Sequence, residues 1–365
     1  MGEAYSEMIQ YYPKFPKPEF DEPSDYWIRD FKERNSFKSV NNSELEKERA
    51  KTASVGNMKW WWENVYKKIE IDKYDPRFIF NGDETMLQSN WKFMVLIRNW
   101  EQVGVVVNDD NNDHITMMHT IAANGDYMTP YFIFQLKTFP DILQQMILDE
   151  KLSIGGNKEG WMDDKCFLEW SKNFIEWVKQ RRIIFKMPDA RALLFIDSHW
   201  SRENPEALQL FKDANIDAYT YPGDSSHILQ PDDVGIFGPL KKYIRTWKRK
   251  IKLTDFKFKN DEKPSQASLR RAKVVLASIN ALTQACTYTS IKSAWTKSGL
   301  YPPNLETILN NPRLNASTEV TIDVPPEKLG KRFSITSKCI TSTEVIEQLK
   351  KNKEEKARKA ELKNQ

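Results

Sequence analysis

The chain has 365 residues, a formal net charge of +4, a hydrophobic fraction of 40% and a mean hydropathy of -0.65. That length allows two or three domains, and no apolar run approaches the roughly 20 residues of a membrane span, so neither a spanning helix nor a secretory leader is expected. Cys166, Cys286 and Cys339 are widely spaced and odd in number, which argues against a disulfide framework or a cysteine zinc site and for a reducing compartment. With so small a net charge, any nucleic-acid binding has to come from local basic patches.

Residues 1–23 are rich in Tyr, Pro and acids and carry no periodic signal. Ser24 is placed to cap a helix in which Trp27 or Ile28 and Phe31 form an apolar stripe, leaving Arg29, Lys32 and Arg34 to face outward. An ordinary surface helix has the same pattern. Residues 43–51 are charged and expected to be helical, and Met58, Trp61, Val65 and Ile69 predict an amphipathic helix leading into the core.

Residues 78–83, Phe-Ile-Phe-Asn-Gly-Asp, predict the first strand, with Phe78 and Phe80 on one face, Ile79 on the other and Asp83 at its end. Gly82 allows close approach beside that acid. Glu84 points the other way by alternation and is expected to be structural. Residues 93–97, 103–107, 114–121 and 130–134 predict further antiparallel strands. Asp109, Asp110 and Asp113 lie in a polar turn that lacks the glutamate and glycine spacing of a calcium loop. Residues 163–182 predict a helix whose Phe167, Trp170, Phe174 and Trp177 read as core rather than as a base-stacking surface.

From Ala192 the pattern is strand, helix, strand, helix. Residues 192–196 are wholly apolar, as in a strand buried on both faces, and stop at Asp197. Residues 203–214 have helical spacing, residues 216–221 predict a strand, and Pro231 fits the first position of a further helix. Counting from Asp233, the residues Phe237, Leu240, Ile244, Trp247 and Ile251 form its apolar stripe, which places Asp233 toward the sheet and Asp232 off the stripe. For Asp232 a dipole role at the helix start suffices. An acid aimed at the sheet beside the end of the Asp197 strand has no partner in view, and two carboxylates brought together repel unless a cation separates them; a divalent metal resolves this. Residues 253–264 read as a linker, 266–298 as a helical unit, 311–343 as irregular, and 344–365 as a charged, solvated helical tail or weak phosphate-binding arm.

Three runs carry a resemblance: Leu194-Phe-Ile-Asp197-Ser-His; the segment from Asn215 to Pro222; and His227-Ile-Leu-Gln-Pro-Asp-Asp233 through Lys242. Together with Phe80-Asn-Gly-Asp83-Glu-Thr upstream and Gly299-Leu-Tyr-Pro302 downstream, they resemble the DDE transposases of the pogo, Tigger and jerky branch of the mariner superfamily, over roughly residues 24–310. The resemblance implies an RNase H-like α/β fold, a mixed sheet flanked by helices with helical extensions at both ends. It also implies a triad of Asp83, Asp197 and Asp233 binding two Mg²⁺ or Mn²⁺ ions, Asp83 bridging them and each of the others holding one. Asp232 departs from the family, which usually has an apolar residue there, and Ser198-His-Trp-Ser-Arg202 ends in Arg where the family has a second His.

The expected organisation is a helical segment over 1–70, the remnant of a helix-turn-helix DNA-binding module; an RNase H-like catalytic domain over 71–255; a helical unit and irregular segment over 256–343; and the tail over 344–365. The expected activity is cutting and joining double-stranded DNA, at transposon ends and target, by a homodimer in the nucleus. A domesticated DNA- or chromatin-binding descendant and a ribonuclease H-type nuclease are the rivals. DNA contacts are expected from Arg29, Lys32, Arg34, His199, Lys241, Lys242, Arg245, Lys248 and Arg249, largely with the phosphate backbone. With one helix of a reader module recognisable, sequence-specific affinity is expected to be weak.

Overall fold

A computed structural model describes residues 25–34, 54–88, 114–252, 256, 264–314 and 335–364. By its contacts the chain divides into residues 1–46 and 47–365. In the first unit one helix is described, α1 (Asp25–Arg34). The expected cap Ser24, the helix over 43–51, the strands over 93–97 and 103–107 and the acidic turn at 109–113 all lie outside the described residues.

The second unit is built on a six-stranded mixed sheet: β1 (Ile79–Gln88), β2 (His114–Ala122), β3 (Tyr131–Phe134), β4 (Ser153–Gly156), β5 (Ala192–Ile196) and β6 (Ile216–Thr220), in spatial order β4-β3-β2-β1-β5-β6. β1, β2 and β3 form an antiparallel meander, while β5 runs parallel to β1 and β6 parallel to β5. β4 adds a parallel edge strand beside β3 that the sequence reading missed. Its four residues include two glycines, too short and too weakly apolar to signal a strand. This is an RNase H-like arrangement: a meander, then parallel strands added at its first member.

Alternation along β1 divides the core into two layers. Phe80 packs beneath α4 (Asp164–Ile184) with Phe167, Trp170, Phe174 and Phe211, the last from α5 (Pro205–Asp213). The Phe80 and Phe174 rings meet edge to face at 5.2 Å. These aromatics are core, as their spacing predicts; α3 (Asp141–Glu150) lies earlier in the chain. On the opposite face, Ile79, Leu193 and Phe195 pack with α2 (Val55–Trp61), α6 (Phe237–Lys250), α7 (Gln266–Ala285) and α8 (Tyr288–Ser298). α9 (Thr343–Asn364) corrects the expectation of a wholly solvated tail, because Val345, Ile346 and Leu349 of its first two turns are buried in the Phe80 layer. Likewise residues 335–342 are not merely irregular: Ile340 N donates to Ala218 O at 2.8 Å and Cys339 bridges Tyr219, so this segment covers the free edge of β6.

Two π-helical turns, Trp62–Tyr66 and Asp232–Ile236, lie on the Ile79 side of the sheet. In the second, Phe237 N–H reaches back to Asp232 O, five residues away. A π turn inserts one residue into the helical phase, so it is Asp232, not Asp233, that lies beneath the buried Phe237. The sequence reading had these two acids the other way round, because it carried a 3.6-residue period through the π turn. Asp232 is fully buried and Asp233 is exposed.

Candidate active site

Asp83 was expected at a strand end, but β1 continues to Gln88, held there, among the described residues, by β2. The pairing with β5 stops at Asn81↔Phe195. Continued by two residues, that register sets Asp83 opposite Asp197, the first residue after β5, on the face that carries Ile79 and Asn81. The Asn81 side chain ties this face to the π turn: its Nδ2 donates to Phe195 O at 3.3 Å and its Oδ1 accepts from Asp232 N at 3.3 Å. The sheet thus fixes two acids, and Asn81 docks the segment carrying the other two against them.

Asp83 is buried; Glu84 N donates to it at 2.8 Å, and with the Gln230 amide assigned the orientation that satisfies both its ends, its nitrogen donates to both Asp83 oxygens at 3.0 and 2.8 Å while its oxygen accepts from Ser226 Oγ. Burial pushes the Asp83 carboxyl well up, and the negative charges of Asp233, Asp197 and Asp232, in that order, push it further. Asp233 reaches solvent but is enclosed by protein on its other side, and that partial desolvation, then the Asp232 charge, raise its carboxyl to about 6, against the pull of Lys241 and Arg313. The expectation that the third acid has no charge partner is corrected accordingly. Lys241 is half-buried and pushed down by burial, while Asp233 and Asp83 oppose that shift.

Asp232 has a different partner. Its Oδ1 lies 2.7 Å from His119 Nδ1, with both side chains fully buried, and Cys286 Sγ lies 3.6 Å from His119 Nε2. Burial disfavours a charged ring, but the Asp232 carboxylate and Cys286 together outweigh it and raise His119 to about 10. The helix dipole is therefore not what answers the charge of Asp232. His119 stands opposite Asp83 in the β1–β2 register. The sequence reading passed over it because a histidine within an apolar strand signals nothing until its partner, 113 residues away, is known.

Glu84 is structural, as expected, and its partner is the departing Arg202. The fully buried guanidinium donates to Glu84 Oε1 at 2.6 Å and to Ser201 Oγ at 2.8 Å, and its carbon lies 5.0 Å from the centre of the Phe167 ring. It also lies 3.0 Å from Asp197 Oδ1, an ionic contact not aligned as a hydrogen bond. Burial disfavours the charged guanidinium, but Asp197 and Glu84 more than compensate and hold it protonated.

Among the described residues, no three acidic, histidine or cysteine side chains are grouped so as to hold a metal ion as they stand. The chemistry of the donors nevertheless fits a hard divalent cation: they are carboxylate oxygens crowded by like charge. Among the described residues, Asp232 Oδ2 and Tyr221 Oη are buried here without a hydrogen-bond partner, and Asp197 Oδ1 has only the ionic contact of Arg202.

The expected DNA contacts are dispersed. Lys242, Arg245 and Arg249 are exposed on α6, with Lys241 and Lys248 half-buried among them. Burial and then Lys273 push Lys248 down to about 8. His199 and His227 are half-buried; His199 caps a short 3₁₀ turn, Trp200–Glu203. On α1, Arg29 and Arg34 are exposed, Arg34 pairing with Asp30 at 2.6 Å; the side chain of Lys32 lies outside the described residues.

A sequence model of the DDE superfamily endonuclease family matches residues 112–296, a range that takes in Asp197 and Asp233 and begins after Asp83. Among curated proteins, Tigger transposable element-derived protein 7 of Homo sapiens is 22% identical over 242 residues, 65% of this chain and 43% of that protein. A protein named MFS-type transporter clz9, of Cochliobolus lunatus, is 27% identical over 136 residues, 37% of this chain and 14% of that protein. The chain thus spans less than half of either relative, and among the described residues no helix is long and apolar enough to cross a membrane. Among solved structures, a Mos1 transposase paired-end complex with left transposon end aligns over 82% of this chain and 77% of that one, at 10% identity and a TM-score of 0.43. The Mos1 mariner paired end complex with Mn aligns at 10% identity, with 82% and 78% coverage and a TM-score of 0.42. With just over half of its length under the family model, the chain belongs to the DDE superfamily endonucleases.

Proposed function

We propose that this chain is a DNA transposase that cuts and joins strands at Asp83, Asp197 and Asp233. The observation that carries this reading is the crowding of Asp83 by the charges of Asp233 and Asp197 beside the end of the β1–β5 pairing. Structural acids in a buried site are normally answered by cations, and these are answered only in part. Two Mg²⁺ or Mn²⁺ ions held by these carboxylates would supply activation of the attacking hydroxyl and stabilisation of the leaving oxygen in an in-line displacement at phosphorus.

The chain's own residues do the positioning. Gln230 fixes the orientation of the Asp83 carboxylate, and Arg202 occupies Oδ1 of Asp197 and leaves Oδ2 for a ligand. The His119–Asp232 pair anchors the π turn, so that Asp233 stands at the open side where a DNA phosphate arrives. Lys241, beside Asp233, and the exposed Lys242, Arg245 and Arg249 of α6 offer cations to the phosphates that flank the scissile one. Double-stranded DNA is the substrate in this reading, a homodimer the acting unit and the nucleus its place.

A second reading, a DNA- or chromatin-binding descendant without catalysis, draws on one observation, the Arg202 guanidinium held against Asp197. A cleavage and strand-transfer assay on transposon-end duplexes with Mg²⁺ or Mn²⁺ separates the two. The proposal expects product that disappears with chelation and in Asp233→Asn. Binding without cleavage supports the second reading, and cleavage that survives Asp233→Asn counts against the assignment of the third acid.

A further inference from the structure

Three residues after Asp197 the chain exposes an indole. Trp200 is 56% exposed, at the start of the 3₁₀ turn whose next two residues, Ser201 and Arg202, are completely buried. Both neighbours are tied down: Ser201 Oγ lies 2.9 Å from His199 Nδ1 and accepts from Arg202, which in turn holds Glu84 and Asp197. The His199 ring is 5.2 Å from the Trp200 ring, at 44°. The indole therefore stands on a rigid support built from the same contacts that orient an acid of the site. Among the described residues its ring contact is with His199 alone, and a large aromatic left in water beside an acid cluster is more informative than the scattered apolar residues of an ordinary surface.

A second exposed indole marks the same end of the sheet. Trp161 is 50% exposed and lies with its ring centre 3.8 Å from that of His114. His114 pairs with Gln88, beyond Asp83 along β1. The end of the sheet where a phosphodiester would meet the acids thus presents two flat, solvent-facing rings as well as the charged groups.

We propose that the Trp200 indole is a stacking platform for an unpaired nucleobase at the DNA end whose phosphodiester the acid cluster holds; this deepens the function proposed above and rests on it. Bringing a phosphodiester of a duplex into a recessed site exposes a base face as the helix frays, and an aromatic ring held in place recovers the lost stacking. Every base has a π face, so such a contact favours unpaired over paired ends without reading sequence. It adds to the phosphate contacts of α6 a term that salt does not screen.

The test compares a blunt duplex of arbitrary sequence with the same duplex carrying a short single-stranded extension, by fluorescence anisotropy in EDTA so that no cleavage intervenes. Wild type, Trp200→Ala and Trp200→Phe are titrated across salt concentrations. Because Trp200 is solvent-exposed, all three are expected to melt together, and matched circular-dichroism melts check this. Wild type should prefer the extended end; Trp200→Ala should lose about tenfold on that end and markedly less on the blunt one, with Trp200→Phe retaining most of the preference. If Trp200→Ala weakens both duplexes equally, or neither, the stacking role is overturned; if neither, the ring is left for a protein partner. A wild-type protein that binds neither duplex removes the proposed function itself, whereas one that binds while Trp200→Ala behaves identically removes only the platform.

Discussion

Asp83 and Glu84 are neighbours on β1, yet they belong to two different regions of the molecule. Glu84 faces the layer beneath α4, where Arg202 donates to it at 2.6 Å over the Phe167 ring. Asp83 faces the π turn, where its hydrogen bonds come from neutral donors, Gln230 and the Glu84 amide, and the nearest charges include three more aspartates. The first acid is answered within the fold, whereas the second is placed so that the fold answers it incompletely. Burial alone does not distinguish a structural carboxylate from a working one; the balance of charge around it does.

The sharpest way to break that contrast is to neutralise the working side. Asp83→Asn and Asp197→Asn should each lower metal-dependent DNA cleavage by a thousandfold or more, a loss of about 4 kcal/mol of transition-state stabilisation, read as single-turnover rates. Asp83→Asn should also raise the melting temperature of the metal-free protein, since it removes like-charge repulsion, as is common where activity requires a destabilised site. Glu84 offers no such gain.

On the structural side, Arg202→Gln leaves the half-buried Glu84 beside Asp197 without its fully buried cation. Loss of one partner of a buried pair costs about 3–5 kcal/mol, which urea denaturation would register as a shifted midpoint with little change in slope. His119→Leu should cost an amount of the same order by stranding Asp232. The double variant His119→Leu/Asp232→Leu should recover most of that loss, because an apolar pair needs no compensation there. A double variant no more stable than His119→Leu alone would show that the pair does not act as a unit.

The smallest expected effect is on pH dependence. Asp233, raised to about 6, and Asp83, raised well above its ordinary range, favour the protonated form in the folded chain. Their contribution to stability is complete below the ordinary aspartate range, near 4, and is lost as pH rises through about 6 and beyond. The metal-free protein should therefore melt at a lower temperature at pH 7.5 than at pH 5, and millimolar Mn²⁺ should restore the acids' part of the difference. His119, raised from 6.5 to about 10, contributes stability that is complete below about 6.5 and is lost progressively from there to about 10, so above pH 6.5 it adds to the same decline, a part that Mn²⁺ does not restore and that His119→Leu/Asp232→Leu removes. A metal-free melting temperature that is flat between pH 5 and 7.5 would contradict the crowding of the acids.

Much of this was legible in the sequence, for identifiable reasons. Five consecutive apolar residues, too few for a buried helix and ended by Asp-Ser, read as a strand covered on both faces, so β5 and the acid after it were legible in the letters. The aromatic spacing of α4 likewise demanded a buried face, and it has one. What misled was periodicity carried past its range, since the π turn at Asp232–Ile236 reverses the roles of two adjacent acids and no residue in it announces the extra step. The interior turns of α9 and the β4 edge were missed because each depends on a surface supplied by a distant element.

The sequence by itself determined the order of elements, the two-faced pattern of β1 and the three motifs that carry the acids, because these rest on local alternation and spacing. Only the tertiary structure decided which acids are answered and by what. His119 reaches Asp232 across 113 residues and Arg202 reaches Glu84 across 118, and such pairings follow from strand register and helix phase, not from the identity of any residue. Charge compensation acts through space in a medium of low dielectric, so its balance at Asp83 is fixed only once the sheet and the helices have packed.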